Sequence, residues 1–445
     1  MVESFIPELT SMRQALIRCF LLTFMAISLR HQPYKALYTT FEFVGTVLVK
    51  VPFWLLLSIP RSWRPRPSWS MKDSFLIQLL RHLVSVRAKT MSKAASGYPA
   101  RQLGALGEGV YCVWVTPIPK LVVGDLAVWS RTASVSSIHV QGYWYCKSVN
   151  TTIPKRALPG EKVLYSLHGG AYTYDTAHPS GLNAKVIRHL LNLDCSINCA
   201  FAIDYRLSSE SSNPFPAALV DALAGYYHLV HTIGFNPSNI IIEGSAGGGN
   251  LALALTRYLI DYYGHSEAAD LPDVPGSLIL LSPWADIGLA PVKARLEPAT
   301  INNTRSWLVS DYMFGPQCPM TSYSQHVFLG PHGTDVAAIN EYISPSSRHP
   351  LLDLDFEDFP RTFISAGAAE NLLPQIRLLK DRMVRDLGHD DKGSEKRGKV
   401  TYHEAPDASH HCLALPFAIQ KDAQRELLAA ISEWLVGSRR YVDLM

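Results

Sequence analysis

Two short apolar runs in this chain each end in a glycine-rich turn, and that pairing restricts the fold more than any other feature. The first run, Val163-Leu164-Tyr165-Ser166-Leu167, leads into His168-Gly169-Gly170-Ala171-Tyr172. The second, Ile240-Ile241-Ile242-Glu243, leads into Gly244-Ser245-Ala246-Gly247-Gly248-Gly249-Asn250. Runs this short and apolar suit strands buried on both faces of a sheet. After the second turn, Leu251, Leu253, Leu255, Tyr258 and Leu259 cover several faces of a helix, which is therefore expected to be buried. A strand-to-helix turn exposes a serine, and a glycine loop offers bare backbone N–H groups to a developing oxyanion. Serine needs both kinds of help, because it is a poor nucleophile until a base removes its proton. The two turns together read as acyl-transfer machinery.

The rest of the chain repeats the alternation. Strands are expected over residues 110–115, 138–145, 163–167, 200–203, 240–242, 278–281, 362–365 and 400–403. From the third onward most are separated by long stretches of helical character, among them 219–231 and 251–262. Strands alternating with helices require crossovers, hence a mostly parallel twisted α/β sheet with helices on both faces. Residues 287 to about 344 interrupt the rhythm with an aromatic- and proline-rich insertion, placed where a cap or pocket wall would sit. Residues 388–399 read as a charged, solvated loop. The expected organisation is an apolar N-terminal extension over 1–67, an amphipathic helix and linker over 68–106, and a catalytic domain over 107–445.

With 445 residues and 47% hydrophobic composition, the chain can bury a large core. Its formal net charge of +3 includes no basic block, so no nucleic-acid partner is expected. Seven cysteines are scattered at 19, 112, 146, 195, 199, 318 and 412, an odd set that suggests no disulfide framework. Cys195 and Cys199 lack the partner pair a zinc site needs. The N-terminus departs from soluble composition. Residues 19–29 are apolar but short for a bilayer span, and the longer stretch 36–59 is interrupted by Glu42, Lys50 and Pro52. Phe53-Trp54-Leu55-Leu56-Leu57 followed by Arg61, Arg64 and Arg66 is an interfacial pattern, so a membrane surface is an expected partner. The alternative is a pair of helices that covers the core. Membrane association, for instance at the endoplasmic reticulum, and a cytoplasmic location both stay open. Glu3 and Glu8 argue against a cleavable secretory signal. Sequons at Asn150 and Asn302 matter only in a lumenal domain.

A serine hydrolase also needs a base that bonds the serine and an acid that orients the base, each on a loop after a later strand. Glu370 follows the strand expected at 362–365; His410, with His411 as its rival, follows that at 400–403. Ser245, His410 and Glu370 are therefore the expected triad, with backbone N–H groups of Gly169, Gly170 and Ala246 as the oxyanion hole. Asp204, Arg206 and Asp221 read as charged residues tying the active-site loops together rather than as a second acid–base group. For Tyr172, Tyr174 and His178, pocket lining and plain packing both stay open. No metal or organic cofactor is expected.

Over roughly residues 107–437 the chain resembles the hormone-sensitive-lipase-like (type IV) branch of the α/β-hydrolases. His168-Gly169-Gly170-Ala171 is similar to that family's oxyanion loop. Asp204-Tyr205-Arg206-Leu207, Phe215-Pro216-Ala217-Ala218, Asp221-Ala222, Ser282-Pro283-Trp284-Ala285-Asp286 and Ser344-Pro345 match further family segments. Residues 34–87 resemble the extension of filamentous-fungal members. The resemblance implies an α/β-hydrolase fold and hydrolysis of a carboxylic ester. The apolar N-terminus and aromatic insertion favour an apolar ester, such as an acetylated terpenoid, sterol or polyketide of secondary metabolism.

The family's turn usually reads glycine-aspartate-serine-alanine-glycine-glycine, and here two registers compete. Keeping serine-alanine-glycine-glycine together puts the nucleophile at Ser245, the preferred register, with Glu243 where a glycine belongs. Keeping Asn250-Leu251 aligned puts Ala246 there instead and leaves no nucleophile. His410 and the oxyanion loop would then suit an aldol- or Knoevenagel-type condensation or cyclisation. A third reading is a non-catalytic binding or scaffold protein.

Overall fold

The computed structural model describes residues 29, 31–90, 104–107, 109–147, 156–194, 196–210, 212–288, 310–312, 319–390, 398–415 and 419–437. Asn150, Asn302, Cys195, nearly all of the 19–29 run and parts of the 287–344 insertion lie outside them. Nine strands form one sheet: β1 (Gly104–Gly107), β2 (Val110–Val115), β3 (Val140–Cys146), β4 (Lys162–Leu167), β5 (Ile197–Asp204), β6 (Ile240–Ser245), β7 (Ser277–Leu281), β8 (Arg361–Gly367) and β9 (Val400–Ala405). Their spatial order is β1-β2-β3-β5-β4-β6-β7-β8-β9. The pairs β1/β2, β2/β3 and β3/β5 are antiparallel, and every pair from β5/β4 through β8/β9 is parallel. The eight expected strands are all present. The ninth, β1, reads Gly-Ala-Leu-Gly and has no apolar run to announce it.

Alternate residues of β6 show how the sheet is covered. Ile240 and Ile242 join a core shared with α5 (Ala217–Tyr227), α6 (Gly247–Tyr262) and α9 (Leu373–Leu387). Ile241 faces the opposite core, shared with α4 (Asn183–Leu191) and α10 (Lys421–Gly437). Both faces are thus dry, as an all-parallel region requires. The remaining described helices are α1 (Tyr34–Ser58, with a π-turn at Thr46–Lys50), α2 (Met71–Thr90), α3 (Gly124–Thr132), α7 (Pro319–Leu329) and α8 (Gly333–Ile339).

Because β4, β6, β7, β8 and β9 are parallel, the loops after them leave one edge of the sheet. In a doubly wound sheet that edge holds the ligand crevice. The β4/β6 register pairs Leu167 with Gly244, so the two glycine turns emerge side by side. One expectation is corrected here. Cys146 and Cys199 are directly opposed on β3 and β5, with Cα atoms 4.3 Å apart, and join in a disulfide. They lie 53 residues apart in sequence, so only sheet register brings them together.

The turn from β6 into α6 leaves no room for side chains at two positions. A methyl group at Gly244 would lie 2.2 Å from the Gly248 carbonyl oxygen, and one at Gly248 would lie 2.0 Å from the Leu167 carbonyl oxygen. Backbone cannot yield as a flexible side chain can, so Gly248→Ala should cost about 1–3 kcal/mol. Urea unfolding measures this directly; an unchanged midpoint would contradict the packing described.

Candidate active site

The residue at the apex of the β6–α6 turn is Ala246, with φ 50° and ψ −111°. An L residue pays about 1–3 kcal/mol for such a conformation, which persists only where the surroundings impose it. Gly244 and Gly248 flank it symmetrically, two residues to each side. The Ala246 methyl faces the oxyanion loop, since a Cβ placed on Gly169 would sit 3.7 Å from it.

Ser245 is elsewhere. It is the last residue of β6, paired with Leu281, and is fully buried on the Ile241 face. Its hydroxyl donates to Glu243 Oε1 at 2.6 Å, while Ser166 Oγ donates to Glu243 Oε2 at 2.5 Å. Asn183 Nδ2 donates in turn to Ser166 Oγ at 2.8 Å. The expectation of Ser245 as nucleophile is therefore corrected. Strand alternation turns Glu243 and Ser245 together beneath the sheet, so the glutamate does not crowd the turn at all. The register that keeps Asn250-Leu251 aligned is the one that forms.

Ala246 is also corrected as an oxyanion donor, because its N–H is spent on the Leu281 carbonyl at 2.9 Å. The amide after the apex belongs to Gly247. A Cβ there would lie 3.3 Å from Ala171 N, against the oxyanion loop. Gly247 is therefore the candidate donor for the place given to Ala246. Gly169 lies against the apex, where a Cβ would sit 3.1 Å from the Ser245 carbonyl oxygen. Gly170 has φ 98°, and a side chain there would strike the Tyr174 carbonyl at 2.0 Å.

His410 and Glu370 are brought together: Nδ1 lies 2.6 Å from Oε2, and both side chains are buried. Glu370 Oε1 accepts from the Gly367 N–H at 2.6 Å and from Ser282 Oγ at 3.1 Å. The carboxylate is thereby fixed on the imidazole. Ser282 also accepts from the His411 N–H at 3.1 Å, so one hydroxyl joins the two catalytic loops. Sequence reasoning missed that role, although Ser282 opens a segment it had matched. His411, the rival base, is buried, and burial followed by the neighbouring His410 pushes its pKa down to about 3. It makes no bond to Glu370. Two described residues of the insertion reach this site: Ser310 Oγ donates to the Ala369 carbonyl, and the Tyr312 ring lies 6.5 Å from that of His410.

Around the oxyanion loop, Arg206 donates from Nε (2.9 Å) and Nη2 (2.8 Å) to buried Asp221, and Asp204 accepts from Thr176 Oγ1 and the Ala177 N–H. These charges brace loops, as the sequence reading held. Tyr205 stacks on His168 at 4.0 Å and donates to its carbonyl. Tyr172 stacks on Phe328 at 4.0 Å and donates to Asn250, so it packs rather than lining a pocket. Tyr174 packs partly buried against the core, and His178 bonds Ser180. Among the described residues no cluster of three His, Cys, Asp or Glu side chains could hold a metal.

A family model described as "alpha/beta hydrolase fold" matches residues 164–414. An acetyl-hydrolase of Streptomyces hygroscopicus is 34% identical over 130 residues, 29% of this chain and 37% of that protein. An esterase of Acinetobacter venetianus is 25% identical over 225 residues, covering 50% of this chain and 61% of the relative. The chain thus spans less than two thirds of the curated relatives it matches. Among solved structures, a hormone-sensitive lipase from a metagenome library superposes with a TM-score of 0.51 at 19% identity, covering 81% of this chain and 97% of that one. That likeness concerns the fold.

Two predictions follow from the turn. Burial pushes the Glu243 carboxyl from the usual 4.5 up to about 7, against the opposing pull of the Ser166 and Ser245 hydroxyls. The folded chain then keeps a proton the unfolded chain releases. Glu243's contribution is full below pH about 4.5 and is lost as pH rises through about 7, a change of about 3 kcal/mol. Urea unfolding at a series of pH values should show that slope in wild type and a flatter one in Glu243→Gln; equal slopes would refute the assignment. Separately, Ala246→Ser places a hydroxyl at the apex. It should acquire labelling by a serine-directed fluorophosphonate, whereas Ser245→Ala should label no differently from wild type. Labelling of wild type that disappears in Ser245→Ala would restore Ser245 as nucleophile.

Proposed function

The chain belongs to the α/β-hydrolase fold family, and from that premise we propose that it hydrolyses a carboxylic ester by general-base activation of water, without an acyl-enzyme. The observation that carries this is the buried 2.6 Å contact between His410 and Glu370, at the same edge of the sheet as an apex that bears a methyl group. A base held by a buried carboxylate retains its use when the nucleophile is water. The relatives named as an acetyl-hydrolase and an esterase support ester hydrolysis as the reaction class.

In this scheme the ester carbonyl oxygen faces the N–H groups of Gly169, Gly170 and Gly247. His410 takes a proton from water as the water oxygen bonds to the carbonyl carbon, and Glu370 stabilises the imidazolium. The oxyanion rests on the backbone donors, each worth roughly 3–4 kcal/mol by analogy with removal of one such donor. Collapse breaks the bond to the alcohol oxygen, which leaves with the proton from His410. The apolar N-terminal stretch and aromatic-rich insertion support an apolar ester, such as an acylated terpenoid, sterol or polyketide. The similarity of residues 34–87 to fungal extensions supports a place in fungal secondary metabolism.

Ala246 favours one further reading. The same base and donors would stabilise an enolate for a condensation or ring closure, which needs no nucleophilic hydroxyl. The two readings part on p-nitrophenyl butyrate. An ester hydrolase should turn it over without a burst, unaffected by Ser245→Ala, and His410→Ala should slow it by about a hundredfold or more. Absence of turnover in well-folded wild type would favour condensation.

A further inference from the structure

Helix α1 is arranged the opposite way to a helix on a soluble protein. Its polar groups face α2. Glu42 pairs with Lys50 at 2.6 Å and approaches His82 at 3.4 Å, Thr46 Oγ1 lies 2.8 Å from His82 Nε2, and fully buried Ser58 donates to fully buried Ser74. Its apolar groups face outward: Phe41, Phe43, Leu48 and Val49 are 65–73% exposed, and Phe53 and Leu56 lie along the same helix, also exposed. Large contiguous apolar surface of this kind marks an interaction site. The 25-residue helix is long and apolar enough to cross a membrane, yet only 6% of its apolar window is buried.

We propose that the outward face of α1 seats in the surface of an anionic lipid bilayer, lying along the interface rather than crossing it. Charge selects this occupant. Residues 34–90 carry nine Lys and Arg against Glu42 and Asp73 alone, in a chain of net charge +3, so the remainder is net acidic. Basic residues beside an apolar helix face are attracted to anionic headgroups. The same charge would repel a second copy of this face. The neighbour decides the depth. Helix α2 packs along α1 and carries Lys72, Arg81, Arg87 and Lys89, which a crossing helix would drag into hydrocarbon at high cost.

The strap between the two helices also touches the catalytic loops. Arg66 Nη2 donates to the Ala368 carbonyl at 2.8 Å, and Trp69 Nε1 donates to the Asp407 carbonyl at 2.7 Å. Ala368 precedes Glu370 by two residues, and Asp407 precedes His410 by three. Asp73, at the start of α2, accepts from the Gln420 N–H at 2.9 Å. A bilayer bound to α1 is therefore held beside the site, where an apolar substrate would be drawn from lipid.

The test is co-flotation of the full chain with phosphatidylcholine vesicles, with and without phosphatidylserine. Wild type should float, more strongly with phosphatidylserine and less in high salt, and alkaline carbonate should release it. The variant Phe41→Glu/Leu48→Glu/Phe53→Glu/Leu56→Glu changes only exposed positions. With its thermal unfolding and circular dichroism unchanged, it should bind at least about tenfold less. Equal flotation of this variant would place the anchor elsewhere in the chain and overturn the proposal. Retention after carbonate would show a crossing helix, also contrary to it. A wild type that ignores vesicles but forms a dimer dissolved by the four substitutions would identify a second copy as the occupant. None of these readouts depends on the ester-hydrolase reading.

Discussion

Three backbone segments meet at the edge of the sheet with no side chains between them. The end of β4, the end of β6 and the first turn of α6 approach so closely that Gly244 and Gly248 admit no Cβ. From this contact the rest of the site follows. It forces the chain to reverse within a few residues, which drives Ala246 to φ 50°. It brings the loop after Leu167 alongside that apex, so that Gly169 lies against Ala246 and Gly247 against Ala171. Parallel pairing then delivers Glu370 and His410 to the same edge from β8 and β9.

Two buried carboxylates in this region do different work because their partners differ. Glu370 meets an imidazole, a backbone N–H and a hydroxyl, an arrangement that fixes its orientation toward the ring of His410. Glu243 meets only the hydroxyls of Ser166 and Ser245, and burial raises its pKa. It belongs to the support beneath the turn. Of the two, Glu370 is the candidate catalytic acid because an imidazole is its partner.

The sheet was legible because buried parallel strands are written as short apolar runs, and each run named in the sequence became a strand. Glu370 and His410 were legible because each sits a few residues past such a run. What failed to show was anything that depends on register or on the third dimension. Strand β1 had only Ala105 and Leu106 between glycines to declare it. Cys146 and Cys199 pair only because β3 and β5 are aligned residue for residue. Ser245 misled because a serine beside glycines resembles a nucleophile, while strand alternation, once Glu243 was counted into β6, turns it inward. The glycines two residues to either side of Ala246 carried the correct signal. Symmetric spacing about the apex outweighs the identity of any one residue in it.

The strain at Ala246 comes from the sheet and helix it joins, not from any hydroxyl. An isolated buried histidine–glutamate pair is costly unless its hydrogen bonds are satisfied. Here they are satisfied by Gly367 and Ser282, and the loops that hold them are tied through Arg66 and Trp69 to the strap of α1. The hydrogen-bonded His410–Glu370 pair forms without any contribution from Ser245. The apex itself carries only the Ala246 methyl group, and the strap that ties these loops leads back to the helix whose apolar face is turned outward.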